Sequence, residues 1–244
     1  MVKKKVSKQK KVLRKIGIVT LKVLIIFFFV SIISVLALKW IDPFTSSVMM
    51  QKQIASLFSS DKSSNINYNW VNYDDISVNA KLAVIAAEDQ NFPYHIGFDF
   101  EQLGKAINES QKGRRLRGAS TITQQVAKNL FLWNGKSFIR KGFEAYFTVL
   151  IEFFWSKRRI LEVYLNITEM GNMIFGIRTA GKKYFNRTAA KLTKEQAALI
   201  AATLPNPVKY SPKNPSSYIL KRKKWILNQM KSLGGNSYLE TINQ

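Results

Sequence analysis

The 244-residue sequence has no cysteine, a single histidine and few acidic residues. Without cysteine no disulfide can form, and one histidine with scattered carboxylates argues against a zinc site, which needs three or four ligands. The 15 Asp and Glu stand against 38 Lys and Arg, a formal net charge of +23. This excess predicts an anionic partner, which from composition is nucleic acid, anionic lipid or a phosphorylated substrate. Intrinsic disorder is excluded because 46% of the residues are hydrophobic.

Much of the positive charge lies at the N-terminus, directly before an apolar run. Residues 1–15 include eight basic residues and no acid, and residues 16–38 are almost wholly apolar, with Lys22 as the only charged residue. About 20 apolar residues span a bilayer, and basic flanks remain in the cytoplasm. The pattern predicts a single-pass anchor in the cytoplasmic membrane, with a cytoplasmic N-terminus and an exported remainder. A cleaved signal peptide would have a shorter apolar stretch, and a nucleic-acid-binding tail would not explain the apolar run.

After the anchor, the patterns predict a polar, irregular linker over residues 39–69 and a mainly α domain over residues 70–244. No convincing strand alternation is present. A helix start is predicted at Thr121-Ile122-Thr123-Gln124, which resembles a capping box. A second capping box is predicted to begin at Thr193. Further helices are predicted over 77–88, 137–154, 156–165, 193–204 and 216–233. Residues 111–118 form a predicted basic loop.

Two adjacent carboxylates, Glu88 and Asp89, end the predicted helix 77–88, close to the only histidine, His95. Acids at a helix C-terminus oppose the helix dipole, so helix stability does not explain them. A carboxylate near apolar walls can have a raised pKa and act as a general base. The alternative is structural: either acid caps a local turn or pairs with a lysine, and His95 is a hydrogen-bond partner.

The helix that begins near Thr121 has a polar stripe that includes Gln124, Gln125 and Lys128. Its start at Ser120 offers free backbone N–H groups and the positive end of the dipole, which suit an anion. The alternative is a solvated face, although such faces more often carry Glu and Lys.

On the next predicted helix, Arg140, Lys141 and Glu144 share one side. A basic pair beside an acid suits phosphate binding next to acid–base chemistry. The alternative is a surface salt bridge worth at most about 1 kcal/mol. Glu162, which has apolar neighbours, is expected to bond to neighbouring helix ends.

Five segments, in this order, resemble the family of monofunctional peptidoglycan glycosyltransferases, whose transglycosylase module also occurs in bifunctional penicillin-binding proteins. They are 88–92 with 95–97, 118–125, Arg140-Lys141 with Glu144, 160–166 and 192–207. The resemblance covers about residues 70–215. It implies a lysozyme-like, two-lobed helical fold. It also implies polymerisation of lipid II into β-1,4-linked glycan strands at the outer face of the cytoplasmic membrane.

The resemblance also implies roles for particular residues. Glu88 matches the general base that deprotonates the acceptor 4-hydroxyl, which then displaces undecaprenyl diphosphate from the donor with inversion. Glu144 matches a second catalytic carboxylate near the diphosphate. Substrate contacts are predicted at Ser120, Thr121, Gln124, Lys128, Lys136, Arg140 and Lys141. The basic residues of this set match positions near the diphosphate, and Lys136 replaces an arginine common in relatives.

No cofactor is expected, although a divalent cation could accompany the substrate diphosphate beside Glu144. The expected partners are lipid II, the growing lipid-linked glycan strand, membrane lipids and other wall-assembly proteins, with no role for nucleic acid.

Two features depart from the family. Arg158 and Arg159 stand where relatives often have acidic residues, and contact with lipid is one explanation for the two arginines. The 98–117 loop corresponds to the membrane-facing jaw of the family but is less apolar than expected for it.

Two rival interpretations remain from the sequence, and a third is not expected. A lytic transglycosylase or lysozyme-like hydrolase would share the fold and a catalytic glutamate, but cleaving glycan needs no cluster of cations. A membrane-anchored scaffold would need no catalytic Glu88. A bifunctional penicillin-binding protein is not expected, because the chain ends at Gln244 and the Ser-x-x-Lys pattern at 59–62 lies in the predicted linker without any Lys-Thr-Gly.

Overall fold

The computed structural model describes residues 2–58, 65–111 and 120–242, and the chain divides into two compact units, Met1–Ile41 and Asp42–Gln244. The first unit is formed by helix α1 (Val2–Leu38). Its segment Leu13–Leu38 has a mean hydropathy of 2.8 and is long enough to cross a bilayer. The predicted N-terminal apolar helix is therefore present as a candidate membrane anchor. Its topology remains a prediction.

The second unit is mainly helical, as the sequence predicted, and agrees with the lysozyme-like helical domain implied by the resemblance. A division into two lobes remains a prediction. The helices are α2 (Ser47–Leu57), α3 (Val78–Glu88), α4 (Phe100–Gln111), α5 (Ile122–Phe131), α6 (Phe138–Phe154), α7 (Lys157–Ile167), α8 (Ile177–Phe185), α9 (Lys194–Thr203), α10 (Ser217–Ser232) and α11 (Asn236–Glu240).

Three short strands form a small sheet that the sequence patterns did not predict. Strand β1 (Asn67–Tyr68) pairs in parallel with β3 (Ile174–Phe175), and β2 (Glu169–Gly171) pairs with β3 in the antiparallel sense. Strands of two or three residues are too short to show an alternating pattern, which explains why they were missed.

Side-chain caps determine where the predicted helices begin. Capping boxes are present at Thr121 and Thr193, where each threonine accepts an N–H and a glutamine three residues later reaches back to the threonine N–H. Both predicted boxes are confirmed. Serine caps start the other predicted helices, namely Ser77, Ser137, Ser156 and Ser216. Each cap provides an acceptor for a backbone donor that has no partner within the helix.

Two predictions of irregular backbone are wrong. Helix α2 lies inside the predicted 39–69 linker, where Ser46 caps it and the buried Val48 and Met49 help to hold it in the domain. Helix α4 lies inside the predicted 98–117 loop; Asp99 starts it by accepting the N–H of Gln102 at 2.8 Å. In α4 the apolar residues Phe100, Leu103 and Ala106 recur at helical spacing, so the helical signal was present in the sequence. The Ser-x-x-Lys pattern and residues 112–118 of the predicted basic loop lie outside the described residues.

The core joins two groups of helices. Helix α3 packs against α9 and α10, whereas α5 packs against α6 and α7, and α7 also contacts α3. Alanines such as Ala83 on α3 and Ala198 on α9 are fully buried, and small side chains of this kind let helix backbones approach closely. The end of α3 therefore lies where the two groups meet, next to α5.

Arg158 and Arg159, at the start of α7, form ion pairs within the domain. Arg158 reaches the Asp74 carboxylate at 2.6 Å, and Arg159 pairs with Asp42 at 2.9 Å and with Glu162 at 2.6 Å. These pairs give both arginines partners within the domain, and their contact with lipid remains a prediction. Glu162 also accepts the N–H of Tyr73 at 2.7 Å, so its predicted structural role is confirmed.

Asn166, at the end of α7, ties that helix to the segment before α3. Its side chain is fully buried; Oδ1 accepts the N–H of Val71 at 2.8 Å, and Nδ2 donates to the carbonyls of Val71 and Glu162, both at 2.9 Å. Gly176 packs on the same residue with φ +81°, and a Cβ there would lie 2.5 Å from the Asn166 carbonyl oxygen. This position therefore requires both a side-chain amide and a neighbouring glycine.

Replacement of Asn166 by alanine tests this connection. Both backbone polar groups of Val71 would lose their partner in the core, and each such loss costs about 1–3 kcal/mol. We expect Asn166→Ala to lower the free energy of unfolding by roughly 2–4 kcal/mol in denaturant titrations of the full chain in detergent. Asn228→Ala, at an exposed position of α10, is the matched control. Equal stability of the two variants would contradict this assignment.

Candidate active site

Asp89 fixes the end of α3 against the start of α5. Its buried carboxylate lies 2.9 Å from Nε2 of His95 through Oδ1 and accepts the Ile122 N–H at 2.9 Å through Oδ2. A carboxylate at a helix N-terminus is also favoured by the dipole. His95 is therefore a hydrogen-bond partner, as the structural alternative expected, whereas the Asp89 carboxylate bonds to a helix start 33 residues away rather than to a local turn or a lysine. The donors at this helix start, predicted to be free for an anion, are partly taken by Asp89.

Glu88, the last residue of α3, lies between α5 and α10. Its side chain is only 16% exposed. Oε2 accepts a hydrogen bond from Nε2 of Gln125 at 3.0 Å, and Oε1 lies 3.4 Å from Nη2 of Arg222. Gln125 is itself held by the hydroxyl of Tyr164, which donates to its Oε1 at 3.2 Å. The carboxylate therefore has a partner on each oxygen and a defined orientation.

Burial raises the pKa of Glu88 above its ordinary value, and this is the largest influence on the group. The hydrogen bond from Gln125 and the charges of Arg222 and Lys128 act in the opposite direction, whereas Asp89 adds to the increase. A carboxylate whose pKa is raised binds a proton more readily than an exposed one. This property suits a general base.

A cationic cluster, which we define as Lys128, Arg140 and Lys141, surrounds the buried Glu144. Nη1 of Arg140 donates to Glu144 Oε2 at 2.7 Å, and Nζ of Lys141 donates to Oε1. Both oxygens of Glu144, whose side chain is 4% exposed, are thus engaged. Three cations around one carboxylate leave an excess of positive charge. The cluster is therefore suited to binding an anion.

Lys128 connects the cationic cluster with Glu88. Burial lowers its pKa, and the charges of Arg140 and Lys141 lower it further, whereas Glu144 and Glu88 raise it. Lys128 thus interacts electrostatically with both carboxylates that the sequence singled out. An incoming dianion would favour its protonated form for the same reason.

The other residues predicted to contact substrate lie outside the cationic cluster. The side chains of Thr121 and Gln124 are buried in the capping box, and Thr121 also donates to the Gly97 carbonyl at 2.7 Å. Ser120 is exposed beside Glu88. Lys136 is exposed in the connection between α5 and α6, and within the described residues it forms no ion pair. The structure therefore brings Lys128, Arg140 and Lys141 together, and among the described residues no contact links Lys136 to them.

A cavity of about 290 Å³ adjoins Glu88. Its walls come from the end of α3, from α4, from the start of α5 and from α10, and they include Ser120 and Trp225. No member of the cationic cluster lines it. Glu88 therefore borders two separate regions, the cationic cluster and this cavity.

Asp89, His95 and Asp99 are the one group among the described residues with the spacing of a metal site, since one ligand atom from each lies within 4.8 Å of the others. Their carboxylate oxygens already have protein partners: Asp99 accepts the N–H of Gln102 at 2.8 Å and Nδ2 of Asn91 at 2.9 Å. We therefore describe the group as a hydrogen-bonded junction. The expected lack of a resident metal, and a cation carried by the diphosphate, remain predictions.

Sequence reasoning missed Gln125 and Arg222 as site residues. Gln125 was visible in the polar stripe, but its partner Glu88 lies 37 residues away. Arg222 lies between the buried Ile219 and Ile226 on the apolar stripe of α10. A basic residue on an apolar stripe usually indicates a buried partner, and this signal was available.

The fold places a buried carboxylate, Glu88, beside a cluster of cations around Glu144. Residues 51–231 match the family model described as "Transglycosylase". A biosynthetic peptidoglycan transglycosylase of Chromohalobacter salexigens is 51% identical over 212 residues, covering 87% of this chain and 90% of that protein. The protein of the same name from Bacteroides thetaiotaomicron is 51% identical over 208 residues, covering 85% and 84%. The chain therefore belongs to the transglycosylase family, and it is a glycosyltransferase enzyme.

The contact between Arg222 and Glu88 leads to a prediction about the pKa of Glu88, which can be tested whatever the reaction mechanism is. Because the Arg222 charge lowers the pKa of Glu88, Arg222→Gln is expected to raise this pKa further, and Arg222→Lys to restore most of the wild-type behaviour. A carbon-detected NMR titration of the Glu88 carboxyl, assigned with Glu88→Gln, measures the change. An identical titration midpoint in Arg222→Gln and wild type would show that the arginine has no influence.

Proposed function

We propose that this enzyme polymerises lipid II into β-1,4-linked glycan strands and releases undecaprenyl diphosphate, with Glu88 as general base. The observation that carries the proposal is a buried carboxylate of raised pKa that borders the cationic cluster. Relatives named as biosynthetic peptidoglycan transglycosylases, at about half identity over most of the chain, support it.

The reaction is a single displacement at C1 of the donor. Glu88 accepts the proton of the acceptor 4-hydroxyl as that oxygen forms a bond to C1, and the bond from C1 to the diphosphate oxygen breaks with inversion. The leaving diphosphate gains negative charge, which preorganised cations stabilise in the transition state. In this role Lys128, Arg140 and Lys141 contact the diphosphate, and Lys136 joins them from its exposed connection.

Most of the other site residues hold neighbouring groups in place. Glu144 holds Arg140 and Lys141 in place through its two oxygens. Thr121 and Gln124 hold the start of α5, and Ser120 is free to touch substrate. The mechanism needs no cofactor, although a divalent cation accompanying the diphosphate would supply additional positive charge beside Glu144.

The proposal also places the enzyme at the membrane. In the proposed topology, α1 anchors the chain in the cytoplasmic membrane with its basic N-terminus in the cytoplasm, and the second unit works at the outer face. A lipid-linked substrate is then within reach, and membrane lipids and other wall-assembly proteins are the further partners.

Substrate assays separate this proposal from a hydrolase that cleaves glycan. Purified full-length protein in detergent is given labelled lipid II and, separately, isolated peptidoglycan. We expect glycan polymer and undecaprenyl diphosphate from lipid II and no change in the peptidoglycan. Breakdown of peptidoglycan without formation of polymer would reject the proposal.

Glu88→Gln tests the general base. The variant keeps the shape of the side chain but cannot accept the proton, so we expect the polymerisation rate to fall by about 10²–10⁴-fold. Glu195→Gln, which removes a carboxylate from an exposed position of α9, is expected to retain wild-type activity. Full activity of Glu88→Gln would support a scaffold instead.

The pH dependence of stability shows whether Glu88→Gln remains folded. Because the pKa of Glu88 is raised in the folded state, its contribution is most favourable below the unfolded pKa and is lost as pH rises through the folded pKa. We therefore expect the variant to unfold at a temperature no lower than wild type at neutral pH, with the difference disappearing in acid. A large loss of thermal stability at neutral pH would contradict the buried carboxylate described here.

A further inference from the structure

The connection between α5 and α6, residues 132–137, is held in place by a side chain of α2. Gln51 bridges it with both ends of its amide: Nε2 donates to the Leu132 carbonyl at 3.0 Å, and Oε1 accepts the Asn134 N–H at 2.8 Å. A side-chain amide has a donor and an acceptor, so it can pair with backbone as a neighbouring peptide group would. Gln51 therefore fixes the course of the connection over these three residues.

Helix α2 gives Gln51 a firm support. Its Nε2 atom also lies 3.0 Å from the Ser47 carbonyl, one turn earlier in α2, which defines the orientation of the side chain. The next residue, Lys52, pairs with Glu169 of β2 at 2.6 Å, and Met49 is only 1% exposed. Helix α2 is thus tied to the small sheet and packs against α5. Gln51 holds the connection relative to this fixed part of the domain.

The connection in turn orients Arg140 of the cationic cluster. Nε of Arg140 donates to the Gly135 carbonyl at 2.8 Å, and Nη1 donates to Glu144 at 2.7 Å. Gly135 directly follows Asn134 and has a φ of +132°, a conformation that favours glycine. Because Asn134 is held by Gln51, the direction of the Gly135 carbonyl is defined as well. The guanidinium therefore has one support on its own helix and a second on the connection.

The second support matters because of the shape of a guanidinium. Glu144 lies one turn further along the same helix and is shared with Lys141, so by itself it leaves the plane of the Arg140 group free to turn. A second hydrogen bond, from a different nitrogen, fixes that plane. The donors of a guanidinium point in fixed directions, and binding of phosphate through two of them requires the correct plane.

We propose that Gln51 is a positioning residue for the cationic cluster: by holding the 132–137 connection, it sets the direction in which Arg140 presents its guanidinium to an anion. The inference rests on the proposed function for the identity of that anion, the leaving diphosphate. Among the described residues, the side-chain hydrogen bonds of Gln51 go to Ser47, Leu132 and Asn134. Its effect on the cluster therefore passes through the connection.

Binding of inorganic pyrophosphate tests the proposal in a double-mutant cycle. Full-length protein in detergent is titrated with pyrophosphate by calorimetry as wild type, Gln51→Met, Arg140→Gln and the double variant. Methionine keeps the length of the side chain but removes both hydrogen bonds. We expect Gln51→Met to weaken binding by roughly three-fold or more in wild type and to have almost no effect in the Arg140→Gln background, since the group that it positions is then absent.

Gln53→Met is the matched control, because Gln53 lies on the same helix and accepts the Ile66 N–H at 3.3 Å. We expect it to bind pyrophosphate as wild type does. If Gln51→Met does not fold, Gln51→Glu, which loses only the donor to Leu132, enters the same cycle, and the Arg140→Gln background accounts for its added charge. Faster hydrogen exchange at the Asn134 N–H is the expected local sign of either change.

Unchanged pyrophosphate binding in Gln51→Met, or an equal loss with and without Arg140, would overturn the inference. Lack of pyrophosphate binding to wild type would overturn it too. In polymerisation assays we expect Gln51→Met to lower kcat/KM for lipid II and Gln53→Met to leave it unchanged. Failure of wild type to polymerise lipid II would instead reject the proposed function, whatever the pyrophosphate cycle shows.

Discussion

The buried carboxylate of Asp89 is the contact on which the rest of the site depends. By accepting the Ile122 N–H and bonding to His95, it joins the end of α3 to the start of α5. Gln125 and Lys128 lie about one and two turns into α5, so this junction brings them to Glu88. Asp89 thereby determines where Glu88 lies relative to the cations of α5 and α6.

Charge is separated around Glu88 rather than spread evenly through the site. The cationic cluster lies around Glu144, whereas carboxylates predominate in the walls of the neighbouring cavity. Burial raises the pKa of Glu88, and Arg222, Gln125 and Lys128 limit that increase, so the group can remain a carboxylate and still accept a proton. The net charge of +23 thus has at least two contributions, a basic N-terminus and the small cationic cluster around Glu144.

Local sequence determined much of the fold, and long-range contacts determined the rest. The capping boxes at Thr121 and Thr193 could be predicted because cap and partner are three residues apart. Helix α2 could not, since its packing against α5 stabilises a mixed sequence, whereas α4 has a helical apolar spacing that was missed. The resemblance identified Glu88 and the cationic cluster, but periodicity shows which face a residue occupies and not what it meets. The contact of Glu88 with Arg222 therefore required the structure.

In the proposed mechanism, Glu88 works between two regions of opposite charge. This arrangement is tested most directly by a structure with non-reactive lipid II analogues bound as donor and as acceptor on either side of Glu88. The diphosphate is expected within ion-pair distance of Lys128, Arg140 and Lys141. The acceptor 4-hydroxyl is expected within about 3 Å of a Glu88 oxygen, or one water away. A diphosphate bound away from the cationic cluster, or an acceptor hydroxyl beyond water-bridged reach of Glu88, would contradict the mechanism.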